Sequence, residues 1–591
     1  MQIVRYKNPN LSQTQRYTIE RIIELCNQRS IDSYRVKYLN PKLALSELYQ
    51  VIENWNNNRI KQFKTTVLSC IYEVKSLIEK DNYLIYGSTS KTTFISILDA
   101  IKAEEDKKEI AKLVFTTNYL IAINNNYYKN LISVLTQIVN ENPTSDKEKI
   151  ILFERIDTLL NYFISELIHI GFTKSYLIKL TRAILVFKSS GNFGNCWNDF
   201  VAALEYNQKS NFIIVFALQN TSNQLDNLQE PSLLNEVPPQ YLDTPISNTT
   251  KNFIKPNKQK KFILYEIEAL DTYQSLKLAK NELANILDII HLGYSNLTLS
   301  LIDRALVINR ETPDKADTLS VYYQIDGYYK SNPISYNRFI SQLKQIVINE
   351  RISNEVKEKL QSAIRYLRLG NEAIEIEQKF INYWIGLEFI FADYDINANT
   401  FARIKEYLVL THVTTYAKRN LLQLHQAIKV FGLNSCIANF DEDLKYFIDV
   451  NTFNELYKHS DNYPLLAFRA NRLKSHFHNN SEKREKYLKQ HMINLERHLI
   501  RIYRIRNELV HEAAQVNNIE SITGNLRYYL TFMLNSLIDY FSNINYSNNI
   551  KKLMTINDFF HHQEMIWTNI ESKKYELEEL LKVPYNPEYL S

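Results

Sequence analysis

The sequence predicts a mainly α-helical protein: an irregular N-terminal helical array, a small α+β middle region and a C-terminal helical bundle. Three observations carry this. Apolar residues recur at three- and four-residue spacing over most of the 591 residues, glycine is confined to 10 positions, and runs rich in β-branched and aromatic residues are clustered between 191 and 345. The length allows about three or four units of ordinary domain size. With 45% hydrophobic and 23% charged residues, the chain can bury a sizeable core.

In residues 1–190, helical periodicity runs through Tyr17–Cys26, Leu43–Trp55, Ile60–Ile78, Ile110–Val139 and Ile150–Phe187, with breaks at Asn142-Pro143 and Ser189-Ser190-Gly191. No signature repeats at fixed period, which argues against a named solenoid. In 191–345, Phe212–Leu218, Phe262–Ala269, Ala305–Asn309 and Ser320–Ile325 read as strands, and Tyr273–Leu292 as a helix. Residues 219–260, rich in Asn, Gln, Ser, Thr and Pro, read as a long mobile loop. Residues 346–548 are again helical, over roughly 346–369, 372–393, 399–431, 440–460, 465–478, 482–511 and 520–543. Residues 549–591 read as a C-terminal tail holding the helix-like Tyr575–Leu581.

Several function classes are disfavoured. Cys26, Cys70, Cys196 and Cys436 lie far apart without C-x-x-C spacing, against a disulfide framework or thiolate zinc site. In Tyr86-Gly87-Ser88-Thr89-Ser90-Lys91-Thr92-Thr93 the second glycine of a phosphate loop is missing, so a helix N-terminal turn is expected. His476-Phe477-His478 and His561-His562 lack acidic or thiol partners at ligand spacing, and neither metal nor cofactor is expected. The polar N-terminus and the lack of an apolar run of about 18–20 residues point to a cytoplasmic protein without a membrane partner.

Charge is uneven. Residues 451–510 carry twelve Lys and Arg against six Asp and Glu, together with five histidines, whereas the whole chain is only +5. Phosphate is a fitting partner for such a stretch. Within it, Arg497, Arg501 and Arg504 share one stripe of a helix with His511, and Asn507 stands one turn before the histidine. Arg506 is five residues before His511, about 140° around the helix. It therefore needs its long side chain, a helix irregularity or a second subunit to meet the imidazole. A histidine can exchange protons near neutral pH and an arginine can grip a phosphate with two donors; together they permit metal-free RNA cleavage to a 2′,3′-cyclic phosphate. One histidine is short of an acid–base pair, which a two-fold dimer would complete. The spacing is not rare: Arg419-Asn420-Leu421-Leu422-Gln423-Leu424-His425 nearly repeats it, with one residue too many.

Arg506-Asn507-x-x-x-His511, after a basic, Tyr-containing helix, resembles the motif of the HEPN superfamily of helical ribonucleases. Upstream, Ile364–Gly370 and Phe380-Ile381-Asn382-Tyr383-Trp384-Ile385-Gly386-Leu387-Glu388-Phe389 resemble the first helices of its Apea-like branch, found among bacterial anti-phage proteins. The resemblance covers about 355–545. It implies a helical bundle that dimerises, or forms a higher oligomer, across the Arg-Asn-x-x-x-His helix and cuts RNA without metal or cofactor. Arg506 would hold phosphate, His511 transfer protons, Asn507 orient the site, and Glu388 contact Arg506 or line the polar seam; Arg497, Arg501 and Arg504 would bind RNA. The expected role is an abortive-infection endoribonuclease whose N-terminal regions sense a phage-derived trigger or regulatory partner, or restrain cleavage. The alternatives are a catalytically silent RNA- or nucleotide-binding scaffold of the same kind and a helical interaction scaffold with an incidental basic helix.

Overall fold

The computed structural model describes residues 3–27, 39–188, 192–205, 209–221, 233–243, 245–293, 300–312, 316–322, 333–373, 375–392, 399–441, 443–512, 519–543 and 553–585. It is mainly helical. Among the described residues the α-helices that come first are α1 (Gln13–Leu25), α2 (Pro41–Asn56), α3 (Leu68–Lys80), α4 (Lys91–Ala100), α5 (Lys107–Ile123), α6 (Tyr127–Ile138), α7 (Asp146–Ile170), α8 (Lys174–Thr181) and α9 (Phe193–Ala202). Polar caps set several of their starts. The Ser12 hydroxyl accepts from the Gln15 amide while the Gln15 side chain accepts from the Ser12 amide, and Asn40 caps α2 one residue before Pro41. Ser90 caps α4, so the Gly87–Thr93 segment forms a helix N-terminal turn. There the Lys91 Nζ donates to the Glu79 and Asp81 carbonyls, at 3.0 and 2.5 Å.

Two helices expected as continuous are interrupted. The expected Ile110–Val139 divides into α5 and α6 around Asn124, whose side chain bonds Ile85 and Leu120. The expected Ile150–Phe187 breaks after α7 at Gly171, where φ is +127° and a β-carbon would meet the Gln274 side chain. The proposed break at 189–191 lies outside the described residues.

The chain forms two compact units, 166–324 and the remainder. This differs from the expected borders at 191 and 345. The N-terminal helices up to residue 165 share a unit with the C-terminal helices rather than standing as a separate domain.

In the middle unit, β1 (Ser210–Thr221), β2 (Lys260–Ala269), β3 (Arg304–Asn309) and β4 (Asp317–Ser320) form an antiparallel sheet of order β2-β1-β3-β4. Strand β1 is central, with Ile214 opposite Tyr265 on one side and Val307 on the other. Two-residue alternation sorts its side chains: Phe212, Ile214 and Phe216 join Leu276 and Leu283 of α11 (Thr272–Gly293), whereas Ile213 and Val215 join Phe253 of α10 (Asn248–Ile254). The fourth strand ends where the expected one starts, and 323–325 lie outside the described residues. Of the expected loop 219–260, residues 222–232 and 244 are outside them as well. Its later part is more regular than expected, because Ser247 caps α10 and Leu234 bridges to Phe262.

The C-terminal helices are α12 (Pro333–Ile348), α13 (Asn354–Glu372), α14 (Ile376–Phe391), α15 (Thr400–Arg403), α16 (Val409–Thr414), α17 (Tyr416–Val430), α18 (Val450–His459), α19 (Pro464–Phe477), α20 (Ser481–Glu512), α21 (Ile519–Ser542), α22 (Ile556–Ser572) and α23 (Leu577–Lys582). Their apolar faces share one core, in which α14 contributes Phe380, Tyr383, Trp384, Leu387 and Ile390. Gly386 lets α14 sink between its neighbours: a β-carbon there would lie 2.9 Å from Leu530 of α21 and 3.2 Å from Tyr366 of α13. The helix expected over 440–460 begins only at Val450, since Leu444 takes a left-handed backbone (φ +63°). The expected tail also contains α22, opened by a Thr555/Asp558 capping box and bonded through Met554 to Ser353 and Arg351.

Candidate active site

Helix α20 carries most of the expected site and runs from Ser481 through Glu512 without a break. Its regularity keeps the roughly 140° between positions 506 and 511, which leaves side-chain reach or a second subunit to join them. The side chain of His511 lies outside the described residues.

On the face toward α14, Tyr503 packs against Trp384 at a centroid distance of 5.8 Å and stacks on Phe401 at 4.0 Å. One turn further along each helix, the Arg506 guanidinium lies 3.8 Å from the Glu388 carboxylate, and its Nη1 donates to Asn507 Oδ1 at 3.2 Å. Glu388, Arg506 and Asn507 are thus brought together, although 118 positions separate the first two. The Glu388–Arg506 contact is partly open, with side chains 31% and 24% exposed, and is too long for a tight ion pair.

The other side of α20, about 140–160° around the helix from Arg506, is different. Arg501 and Arg504, expected to face RNA, turn inward to two N-terminal carboxylates. Arg501 Nε donates to both Glu47 oxygens at 2.8 and 3.1 Å and its Nη2 to Glu73 at 2.8 Å, while Arg504 Nη2 also donates to Glu47. These four side chains are only 11–15% exposed. Burial by itself would raise the Glu47 pKa; the two arginines outweigh it and hold the carboxyl down to about 2. Arg497 is half-buried in the same seam, within the field of Glu73.

The pattern extends along the basic stretch. Arg469 of α19 pairs with Glu24 of α1 at 2.7 Å, and Arg472 with Asp157 of α7 at 3.4 Å; Arg21 also reaches Glu24 and Asp157, both at 2.6 Å. The charge excess read from 451–510 is therefore partly neutralised inside the protein. Sequence reading missed Glu47 and Glu73. A signal exists: Glu47 lies in the stripe Ala44, Leu48, Val51 and Glu73 in the stripe Cys70, Val74, and an acid inside an apolar stripe requires a buried partner.

His491 and His498 of this region are buried in the packing. His491 Nε2 lies 3.0 Å from His412 Nδ1, Tyr416 stacks on His491 at 3.7 Å, and His498 Nδ1 meets the Tyr529 hydroxyl at 2.8 Å. Burial, then the Arg501 charge, pushes His498 down to about 3. Such an imidazole stays neutral at working pH and is a poor proton shuttle. Among the described residues no three His, Cys, Asp or Glu side chains form a metal-sized cluster, and no helix is long and apolar enough to cross a membrane.

Compared with protein-family models, curated proteins and solved structures, the chain matches none.

Proposed function

We propose that the protein is an endoribonuclease of the HEPN type, acting without metal in abortive anti-phage defence, with its N-terminal regions restraining or triggering cleavage. The observation that supports this reading best is the meeting of Glu388, Arg506 and Asn507 where α14 passes α20, with the latter helix continuing unbroken through position 511. Arg506 would bind the scissile phosphate and stabilise the charge that grows on it. His511 would take the proton of the ribose 2′-hydroxyl or give one to the departing 5′-oxygen, with Asn507 orienting the pair. In-line attack by the 2′-oxygen breaks the bond from phosphorus to the 5′-oxygen and leaves a 2′,3′-cyclic phosphate. A second copy of the chain across α20 would supply the second imidazole, so a homodimer is the working form.

The test is digestion of total RNA in chelator by the wild type and by His511→Ala, with end-group analysis of the fragments. The expected result is cleavage by the wild type alone, leaving cyclic phosphate ends. Equal cleavage by both would remove His511 from the chemistry. Binding of RNA without cleavage, even in infected-cell extract, would favour the silent scaffold.

A further inference from the structure

Carboxylates on α2 and α3 occupy the guanidiniums of Arg501 and Arg504 on α20. Arg501 and Arg504 lie about 7.5 and 3 Å along the axis of α20 before Arg506 but about 140° and 160° around it, on the stripe that continues to position 511. Glu47 engages both of them and Glu73 engages Arg501. Each carboxylate presents to a guanidinium fork the pair of acceptor oxygens that a phosphodiester also presents.

Stability alone gives little reason for this chemistry. A buried ion pair is often no more stabilising than an apolar pair of the same shape, while removing only one side leaves a costly buried charge. The seam sets Glu47 and Glu73 against Arg501 and Arg504, with Arg497 beside Glu73 and Glu508 3.8 Å from Arg504, and links segments more than 400 positions apart. The same arrangement recurs at Glu24–Arg469 and Asp157–Arg472. N-terminal acids thus engage four arginines of the one strongly basic stretch. If α2 and α3 withdraw, Arg501 and Arg504 need another anion, and a polyphosphate backbone is the natural replacement.

We propose that Glu47 and Glu73 form an internal carboxylate plug that competes with RNA phosphates for Arg501 and Arg504, so that displacement of α2–α3 opens a backbone-binding stripe that continues along α20 to position 511. This rests on α20 being the RNA-facing helix of the proposed nuclease. Activation is then an exchange of anions on two arginines, without any new chemistry at the catalytic residues.

The plug is tested by binding rather than cleavage. In a His511→Ala background, the affinity for a short fluorescein-labelled single-stranded RNA is measured by anisotropy over a range of salt, with and without Glu47→Gln/Glu73→Gln. Two newly available phosphate contacts should tighten binding about tenfold at low salt and steepen the log–log salt slope by about 1.4, at roughly 0.7 per contact on a single strand. Adding Arg501→Gln/Arg504→Gln should abolish both gains. Unchanged affinity and slope in a variant that melts as a folded protein would overturn the proposal, as would a gain that survives loss of the two arginines. Should the double variant fail to fold, Glu47→Gln alone, which releases Arg504 and leaves Glu73 on Arg501, should give about half the slope change. Because the readout is binding, failure of the plug leaves the cleavage test standing. An inactive wild type likewise leaves this one decisive.

Discussion

Two stretches of this chain carry nearly the same letters, Arg419-Asn420 with His425 and Arg506-Asn507 with His511, and the fold treats them oppositely. In the first, Arg419 is 9% exposed and bonds the His412 carbonyl at 2.9 Å and the Tyr528 hydroxyl at 2.5 Å, with its ion over the ring of Phe532. Asn420 turns back to the Tyr416 carbonyl, and His425 stacks on Phe440 and bonds the Tyr446 hydroxyl. All three side chains are buried and engaged in packing. In the second, Arg506 and Asn507 are partly exposed, and Arg506 lies 3.8 Å from the Glu388 carboxylate and donates to Asn507. The difference teaches that the same spacing can be spent on packing or left accessible: the Arg419 guanidinium is sunk among aromatic rings, whereas that of Arg506 lies at a partly open seam.

The largest effect should come from the buried member. Arg419→Ala removes a well-packed side chain and leaves the Tyr528 hydroxyl and the His412 ring and carbonyl short of a donor, so denaturant titration should show a loss of about 3 kcal/mol or more. Arg506→Ala should cost less than about 1 kcal/mol in the same assay, as expected for a partly exposed pair. Comparable losses would erase the contrast. Activity should invert the order. Arg506→Ala is expected to reduce RNA cleavage by about 10²–10³-fold, the range for removing one preorganised charge donor. A folded Arg506→Ala enzyme that cuts at the wild-type rate would take Arg506 out of the mechanism.

A smaller effect separates the two by pH. His412 and His491 are kept neutral in the fold, first by burial and then by the charge of Arg419. Unfolded, they bind protons near pH 6.5, so their contribution to stability is complete above about 6.5. It declines as pH falls toward their depressed folded values, by up to about 1.4 kcal/mol per pH unit for each imidazole. Urea midpoints should therefore drop between about pH 7 and 5.5, and His491→Phe should flatten the profile. An unchanged slope in that variant would mean that other groups govern the acid side.

Much of the helical plan was legible because amphipathic periodicity and capping are local. Thr272–Gly293, Pro464–Phe477 and Ser481–Glu512 fall within a few residues of where the pattern puts them. Helix α22 was just as legible, with Thr555 and Asp558 at capping spacing before Phe559, Phe560 and Ile570, yet its Asn-rich approach reads as a tail. The failure at 440–449 is of another kind, since nothing local announces that Leu444 will adopt a positive φ.

By itself, then, the sequence determined the helices, the central hydrophobic strands and a short set of polar residues able to handle phosphate, because each follows from neighbours a few positions away. Only the tertiary structure decided which of those residues meet. It brought Glu388 to Arg506 by seating Trp384 on Tyr503 one turn earlier, and it turned Arg501 and Arg504 toward Glu47 and Glu73. The physical reason is that a buried charge must find its opposite wherever the packing of distant helices supplies one, and that pairing has no period in the chain.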